Sequence, residues 1–344
     1  MRVRGQRSGA SACKRSLAII QAQILLAFSL LAPVEASAGR MPEPRASISE
    51  ARPSQIISSE VDLVMLPVSV TDRHGHPVPG LTKEDFRIYE DGHPQAISVF
   101  SPKDIPVSVG LVVDNSRSMA SDKAEVREAA SDFLNSSNPE DQVFVVNFSD
   151  DASLGMPAGE PFTSDIGTLK ESLFRGVVPG RTALYDAVKL ALQHLSHGTA
   201  DKKALVIVSD GGDNASRATF AQVLAAARHG NAIIYAIGIV GEFSSDVNPG
   251  LLRRLAKATG GQAFFPDSAK QVPKICREIA RELRQQYMLG YTPTNKDYNG
   301  RFRTVRVTVH APGLSGLRVR TRTGYYATAA PSGASAATSK TGPP

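Results

Sequence analysis

Val107-Ser108-Val109-Gly110-Leu111-Val112-Val113-Asp114-Asn115-Ser116-Arg117-Ser118 decides how this chain is read. Its first seven residues are apolar or small and do not alternate with polar ones. That is the pattern of a strand buried on both faces. Directly behind it, an Asp and two hydroxyls recur at every second position. Three hard oxygen donors therefore share one loop, which outlines a divalent-cation site.

The pattern continues outward from this strand. Further apolar runs stand at Gln142–Phe148, Ala204–Ser209, Ala232–Ile239 and Gln262–Phe265. Between them, helical spacing predicts helices over 121–135, 166–175, 183–195, 219–229, 250–258 and 270–284. Gly230 stands where a left-handed cap would close the helix over 219–229. Alternating doubly buried strands and helices predict an α/β fold, a doubly wound and mostly parallel sheet with helices on each side. The flanks differ. Residues 58–104 and 286–328 show short strands between Gly and Pro turns, each too few to be stable alone. They are expected to form one small antiparallel β domain. Residues 302–310 and 317–323 are expected to pair as a hairpin, with its six arginines (301, 303, 306, 318, 320, 322) on a solvated face.

The chain has 344 residues and a formal charge of +6. Residues 1–38 hold five basic side chains and one acid, so the remainder, with 34 basic and 32 acidic residues, is close to neutral. That balance argues against nucleic acid as a partner. Basic residues up to Arg15, an apolar run from Ile24 to Ala32 and Ala36-Ser37-Ala38 read as a secretory signal cut after Ala38. A linker over 39–57 and a disordered tail over 329–344 are expected. The mature chain is then secreted, periplasmic or part of a cell envelope, with no membrane span. It keeps one cysteine, Cys276, and so no internal disulfide. Cys276 lies in a helical pattern and reads as a buried thiol.

Ligands of open α/β sheets sit beyond the carboxyl ends of the strands. Three loops there are rich in oxygen donors: Asp114 to Ser118, Gly180-Arg181-Thr182 and Ser209-Asp210-Gly211-Gly212-Asp213. Two carboxylates and three hydroxyls suit Mg²⁺, Mn²⁺ or Ca²⁺ rather than zinc or copper. Neutral hydroxyls leave such an ion able to take an anionic ligand from outside. Elsewhere, His74-Gly75-His76 reads as a turn, His194 and His197 as helix-end residues, and Asp213 as either a turn residue or a water-mediated ligand.

Asp-x-Ser-x-Ser after the first strand, a Thr at a later helix start and Asp-Gly after the fourth strand together resemble the von Willebrand factor type A domain. The resemblance covers roughly 107–283, within a domain expected over 105–285. It implies a Rossmann-like fold and a metal-ion-dependent adhesion site with Asp114, Ser116, Ser118, Thr182 and Asp210 as metal residues. It also implies a protein or matrix partner whose carboxylate completes the coordination. The flanking segments are similar to those of exported bacterial proteins that carry such a domain. The expected function is therefore an exported, non-enzymatic adhesion module. A structural role in the envelope with a stabilising metal is one alternative. A metal-dependent phosphohydrolase is another, but Ser116 occupies the position where such enzymes with an Asp nucleophile carry a second acid.

Overall fold

The computed structural model describes residues 63–176, 178–239 and 248–328. The expected signal, linker and tail lie outside the described residues. So do residues 58–62 of the first β segment.

Four strands come first: β1 (Val64–Thr71), β2 (Phe86–Glu90), β3 (His93–Gln95) and β4 (Ile97–Ser101). The alternating part follows, with β5 (Val107–Asp114), α1 (Lys123–Ser136), β6 (Gln142–Phe148), β7 (Ala152–Leu154), α2 (Ile166–Ser172) and α3 (Leu184–Leu195). It continues with β8 (Lys202–Ser209), α4 (Phe220–His229), β9 (Ile233–Gly238), α5 (Pro249–Thr259), β10 (Ala263–Phe264) and α6 (Val272–Arg284). Four strands close the chain: β11 (Tyr287–Tyr291), β12 (Phe302–Val309), β13 (Arg318–Arg320) and β14 (Gly324–Tyr326).

The central sheet has the order β10-β9-β8-β5-β6-β7. All its pairings are parallel except β6 with the short edge strand β7. The expected mostly parallel, doubly wound sheet is thus the observed one. Every residue of β5 is buried. Val107, Val109, Leu111 and Val113 point to a core shared with α1 and α6, while Val112 points to the opposite core with α3, α4 and α5. Gly110 sits where packing leaves no room for a side chain. A Cβ there would lie 2.5 Å from Phe144 Cζ and 2.6 Å from Leu205 Cδ2.

Local chemistry sets the helix ends. Asp165 caps α2 by accepting from Thr168 N at 2.7 Å. Thr219 and Gln222 form a capping box on α4. Pro249 opens α5 behind the Asn248 cap, and Gly260 closes it at φ +86. The left-handed cap expected at Gly230 is not formed, because Gly230 is right-handed at φ −75. The chain reverses one residue later at Asn231, φ +51, a residue type that tolerates this region. Cys276 is buried on α6, and burial pushes its thiol up to about 12.

The flanking strands form two four-stranded antiparallel sheets, β13-β1-β11-β4 and β14-β12-β2-β3. They share one core, with Leu66 and Val68 of β1, Phe86 and Ile88 of β2, Leu289 of β11 and Val305 of β12. Each sheet mixes strands from both ends of the described chain. The hairpin expected from 302–310 and 317–323 is not formed. β12 pairs with β2 and β14, whereas β13 crosses to β1 in the other sheet. The Pro312-Gly313 and Gly316 turns release the chain between them, and Val319 comes to lie opposite Val70. The arginines expected on a solvated face divide: Arg301, Arg306 and Arg318 are exposed, but Arg303, Arg320 and Arg322 are not. Arg303 is buried and pairs with Glu90 at 3.1 Å, and Arg320 bonds Glu282 at 2.5 Å.

Both ion pairs belong to wider hydrogen-bond networks. Glu90 accepts from Tyr291 and Tyr325 hydroxyls at 2.6 and 2.8 Å, and Arg303 also donates to the carbonyls of Asn295 and Asp297. Glu282 of α6 accepts from Ser69 of β1 at 2.6 Å and from Tyr235 of β9 at 2.7 Å. That carboxylate joins the α/β sheet to the flanking strands. Glu90→Ala would leave a charged Arg303 without its carboxylate in a site only 4% exposed. Urea unfolding of this variant is expected to show a loss of about 3–5 kcal/mol. A loss under 1 kcal/mol would show the pair to be incidental.

Candidate functional site

Strands β5 and β8 are neighbours, and the sheet grows away from them in opposite directions. The loops that leave their carboxyl ends part at this point and open a crevice. Asp114 is the last residue of β5, and Asp210 follows the last residue of β8.

The first loop is ordered by its own donors. Asp114, 1% exposed, accepts from Ser116 N at 2.8 Å through Oδ1. Ser116 Oγ lies 3.0 Å from Ser118 Oγ, and Ser118 Oγ donates to Asp210 Oδ2 at 2.8 Å. Four of the five expected residues are therefore linked in one hydrogen-bonded chain between two strand ends. Residues 117–122 then make a 3-10 turn that leads into α1, earlier than the helix start expected at 121.

Thr182 arrives on a separate loop, buried just before α3. Its N–H donates to Asn214 Oδ1 at 2.9 Å, and its carbonyl accepts from Asn214 N at 2.9 Å. Gly180 O accepts from Arg117 N at 3.3 Å. Thr182's loop is thereby tied to both carboxylate loops. The backbone of Thr182 thus ties its loop to the Asp210 loop through Asn214.

Several supporting residues were not singled out from sequence. Ser209 Oγ donates to Asp114 Oδ2 at 2.6 Å and accepts from Gly211 N at 3.0 Å. Ser149 and Asp150, after β6, hold the Thr182 loop. Ala183 N donates to the Ser149 carbonyl at 2.7 Å, and Asp150 Oδ1 accepts from Arg181 N at 3.1 Å and Nε at 3.0 Å. These bonds from the Arg181 N–H and guanidinium hold the Asp150 carboxyl below its ordinary range. Asp150 comes so close to Gly180 that a Cβ there would meet Oδ2 at 2.1 Å. The one sequence signal for Ser149 and Asp150 was their place directly behind a buried strand.

Asp213 accepts from Tyr185 N at 3.1 Å and Ser216 Oγ at 2.6 Å, so it secures the start of α3. His194 lies against Phe144, with 4.5 Å between ring centroids, and its Nε2 is 2.8 Å from the Pro161 carbonyl. His74-Gly75-His76 forms the expected turn, with both His74 N and His76 N bonded to Asp72.

The electrostatics of the crevice are unbalanced. Burial pushes the Asp114 carboxyl up to about 6, against the lowering effect of bonds from Ser209 and Ser116, and the nearby Asp210 charge raises it further. Two buried carboxylates and hydroxyls that bond one another form an oxygen-only set that a hard divalent cation fits. Among the described residues no three His, Cys, Asp or Glu side chains converge on a metal site. The donors here are two carboxylates supplemented by hydroxyls.

Residues 108–278 match the family model described as von Willebrand factor type A domain. Inter-alpha-trypsin inhibitor heavy chain H4 from Homo sapiens is 26% identical over 215 residues, 58% of this chain and 23% of that protein. The Bos taurus protein of the same name is 26% identical over 207 residues, 56% of this chain and 22% of that one. The chain spans less than a quarter of the length of these curated relatives. Among solved structures, von Willebrand factor type A from Catenulispora acidiphila has a TM-score of 0.47 at 15% identity, covering 70% of this chain and 73% of that one. The vWF domain of the type V pili tip protein Mfa5 from Porphyromonas gingivalis has a TM-score of 0.43 at 13% identity, covering 52% and 95%.

An Asp whose folded value is about 6 rather than 3.8 weighs against folding once it ionises. Its contribution is most favourable below pH 3.8 and is lost as pH rises through 6, a difference of about 3 kcal/mol. In chelator, Asp114→Asn is therefore expected to melt higher than the parent at pH 7 and to match it near pH 4. Equal melting temperatures at pH 7 would show that the charge is not a burden.

Proposed function

We propose that this chain, whose residues 108–278 match the von Willebrand factor type A domain model, is an exported binding module that captures an acidic residue of a protein or matrix partner through a Mg²⁺-type ion. The observation that carries the reading is the Asp114–Ser116–Ser118–Asp210 hydrogen-bonded chain at the point where β5 and β8 diverge.

Asp114, Ser116, Ser118, Thr182 and Asp210 would hold the ion. Bound there, it supplies an electrophilic centre with a position open to an anionic oxygen. The chain's own residues do the remaining work. Ser209 and the Ser116 N–H orient the Asp114 carboxylate. Asn214, Ser149 and Asp150 fix the Thr182 loop. Asp114 and Asp210 supply two negative charges and the other donors are neutral, so the site favours an added carboxylate. Mn²⁺ and Ca²⁺ share the required preference for hard oxygen.

A binding role accords better with these residues than hydrolysis does. Ser116, not an acid, stands two residues beyond Asp114, and its hydroxyl is engaged with Ser118. The sequence of residues 1–38 supports export. Among the described residues no helix is long and apolar enough to cross a membrane.

Adding Mg²⁺ at a hundred times its dissociation constant is expected to stabilise the chain by about 2.7 kcal/mol. EDTA should reverse the gain, and Asp114→Ala and Asp210→Ala should abolish it. A pull-down from the native envelope should release the partner on EDTA elution. Partner binding by folded Asp114→Ala in EDTA would overturn the adhesion reading. A melting temperature that responds to Mg²⁺ while the partner stays bound in EDTA would instead assign the metal a purely stabilising role.

A further inference from the structure

The seam between the α/β unit and the flanking strands holds a small cavity. The α/β unit lines it with Arg228 and Asn231, at and just beyond the end of α4, with Ile233 of β9 and Ala258 of α5. The flanking strands line it with Met65 of β1 and with Arg322, which stands shortly before β14. Its volume is about 10 Å³, enough for one water-sized occupant.

The walls are held from both sides. Thr321 Oγ1 donates to the Pro67 carbonyl at 2.9 Å, and Thr323 N and Oγ1 donate to the Ala258 carbonyl at 3.3 and 3.2 Å. The end of α5 comes so close to this stretch that a Cβ on Gly260 would meet Arg322 N at 2.6 Å. Asn231, left-handed at φ +51, accepts from Arg322 Nη1 through Oδ1 and keeps its own amide N–H groups as donors. Arg228 Cζ lies 4.5 Å from the centre of the Phe302 ring, and Arg322 Cζ lies 5.4 Å from that of Tyr325.

Both guanidiniums are short of partners. Arg228 Nε and Arg322 Nε are buried, and neither has a hydrogen-bond partner among the described residues. Neither arginine forms an ion pair there, and no acidic side chain lines the cavity. Burial pulls the Arg322 guanidinium below its ordinary value. The carbonyl ends of α4 and α5 offset part of the charge, but they give neither Nε a partner. Arginine stays charged in proteins. Two positive charges with unmet donors therefore border one small space, and unmet donors on charged groups are costly.

We propose that Arg228 and Arg322 bind one monatomic anion, chloride, in this cavity, and that the ion pins the flanking strands to α4 and α5. A single anion answers both unmet donors and offsets both charges. Size selects the class of ligand. A halide is little larger than a water molecule, whereas phosphate, sulfate or a carboxylate needs much more room. Water would accept from both Nε–H groups but would leave two buried charges without a counter-charge. The site uses no residue of the cation loops and stands whether or not they hold a metal.

The test compares the full chain in sodium chloride and in sodium gluconate at equal ionic strength, both with EDTA. Chloride at about five times its dissociation constant is expected to raise the melting temperature by about 2–4 °C over gluconate. The rise should saturate, as one site requires. Arg228→Met and Arg322→Met keep an unbranched stem and remove charge and donors, and each should abolish the difference between the salts. Bromide-soaked crystals of the unaltered chain give a readout that needs no variant, an anomalous peak between the two guanidiniums. Equal melting temperatures in the two salts, a chloride rise that survives both substitutions, or a cavity holding water with no bromine signal would each overturn the proposal.

Discussion

Strand β5 is hydrogen-bonded along both edges and covered on both faces, and the rest of the α/β unit is arranged around that constraint. A strand with β6 on one side and β8 on the other cannot shift register without breaking two ladders and exposing two cores. Its end is therefore fixed in space, and Asp114 with it. The same ladders fix the end of β8, which places Ser209 and Asp210 opposite. Two carboxylates come together because the sheet forces them together, although burial and mutual repulsion both oppose it.

The second organising feature is Glu282. It ties α6 and β9 of the α/β unit to β1 and β13 of the flanking sheets through one carboxylate. Its counterpart Glu90 closes the core between those sheets with two tyrosines and Arg303. Both are buried ionic groups with their oxygens satisfied, the condition under which such groups fix a unique arrangement. Partial satisfaction would be costly, so the flanking strands have a defined seat on the α/β unit.

The fold class was legible because doubly buried strands leave an unmistakable run of apolar residues. Val143 to Val146 and Leu205 to Val208 could hardly be anything else in this context. The flanking strands were less legible. Residues 302–310 and 317–323 each look like half of a hairpin, but which apolar face meets which is settled by partners more than two hundred residues away. The arginines show the same limit, since the sequence places Arg303 and Arg320 in a basic run but cannot show Glu90 or Glu282 beneath them. At the site, Asp114, Ser116 and Ser118 follow from local spacing, and Asp210 from its place after a buried strand. Ser209, Asn115 and Asp150 carry no assigned role in the sequence because what they do depends on contacts between loops.

Hydrophobic periodicity by itself determined the parallel sheet, the helices on each side and the strand ends where oxygen donors gather. Periodicity is a local property, and it is written into neighbouring residues. Only the tertiary structure decided that Asp114 and Asp210 share one hydrogen-bonded chain and that Asn214 ties the Thr182 loop to theirs. Those outcomes depend on distances between segments remote in sequence, which close packing sets and no local pattern records.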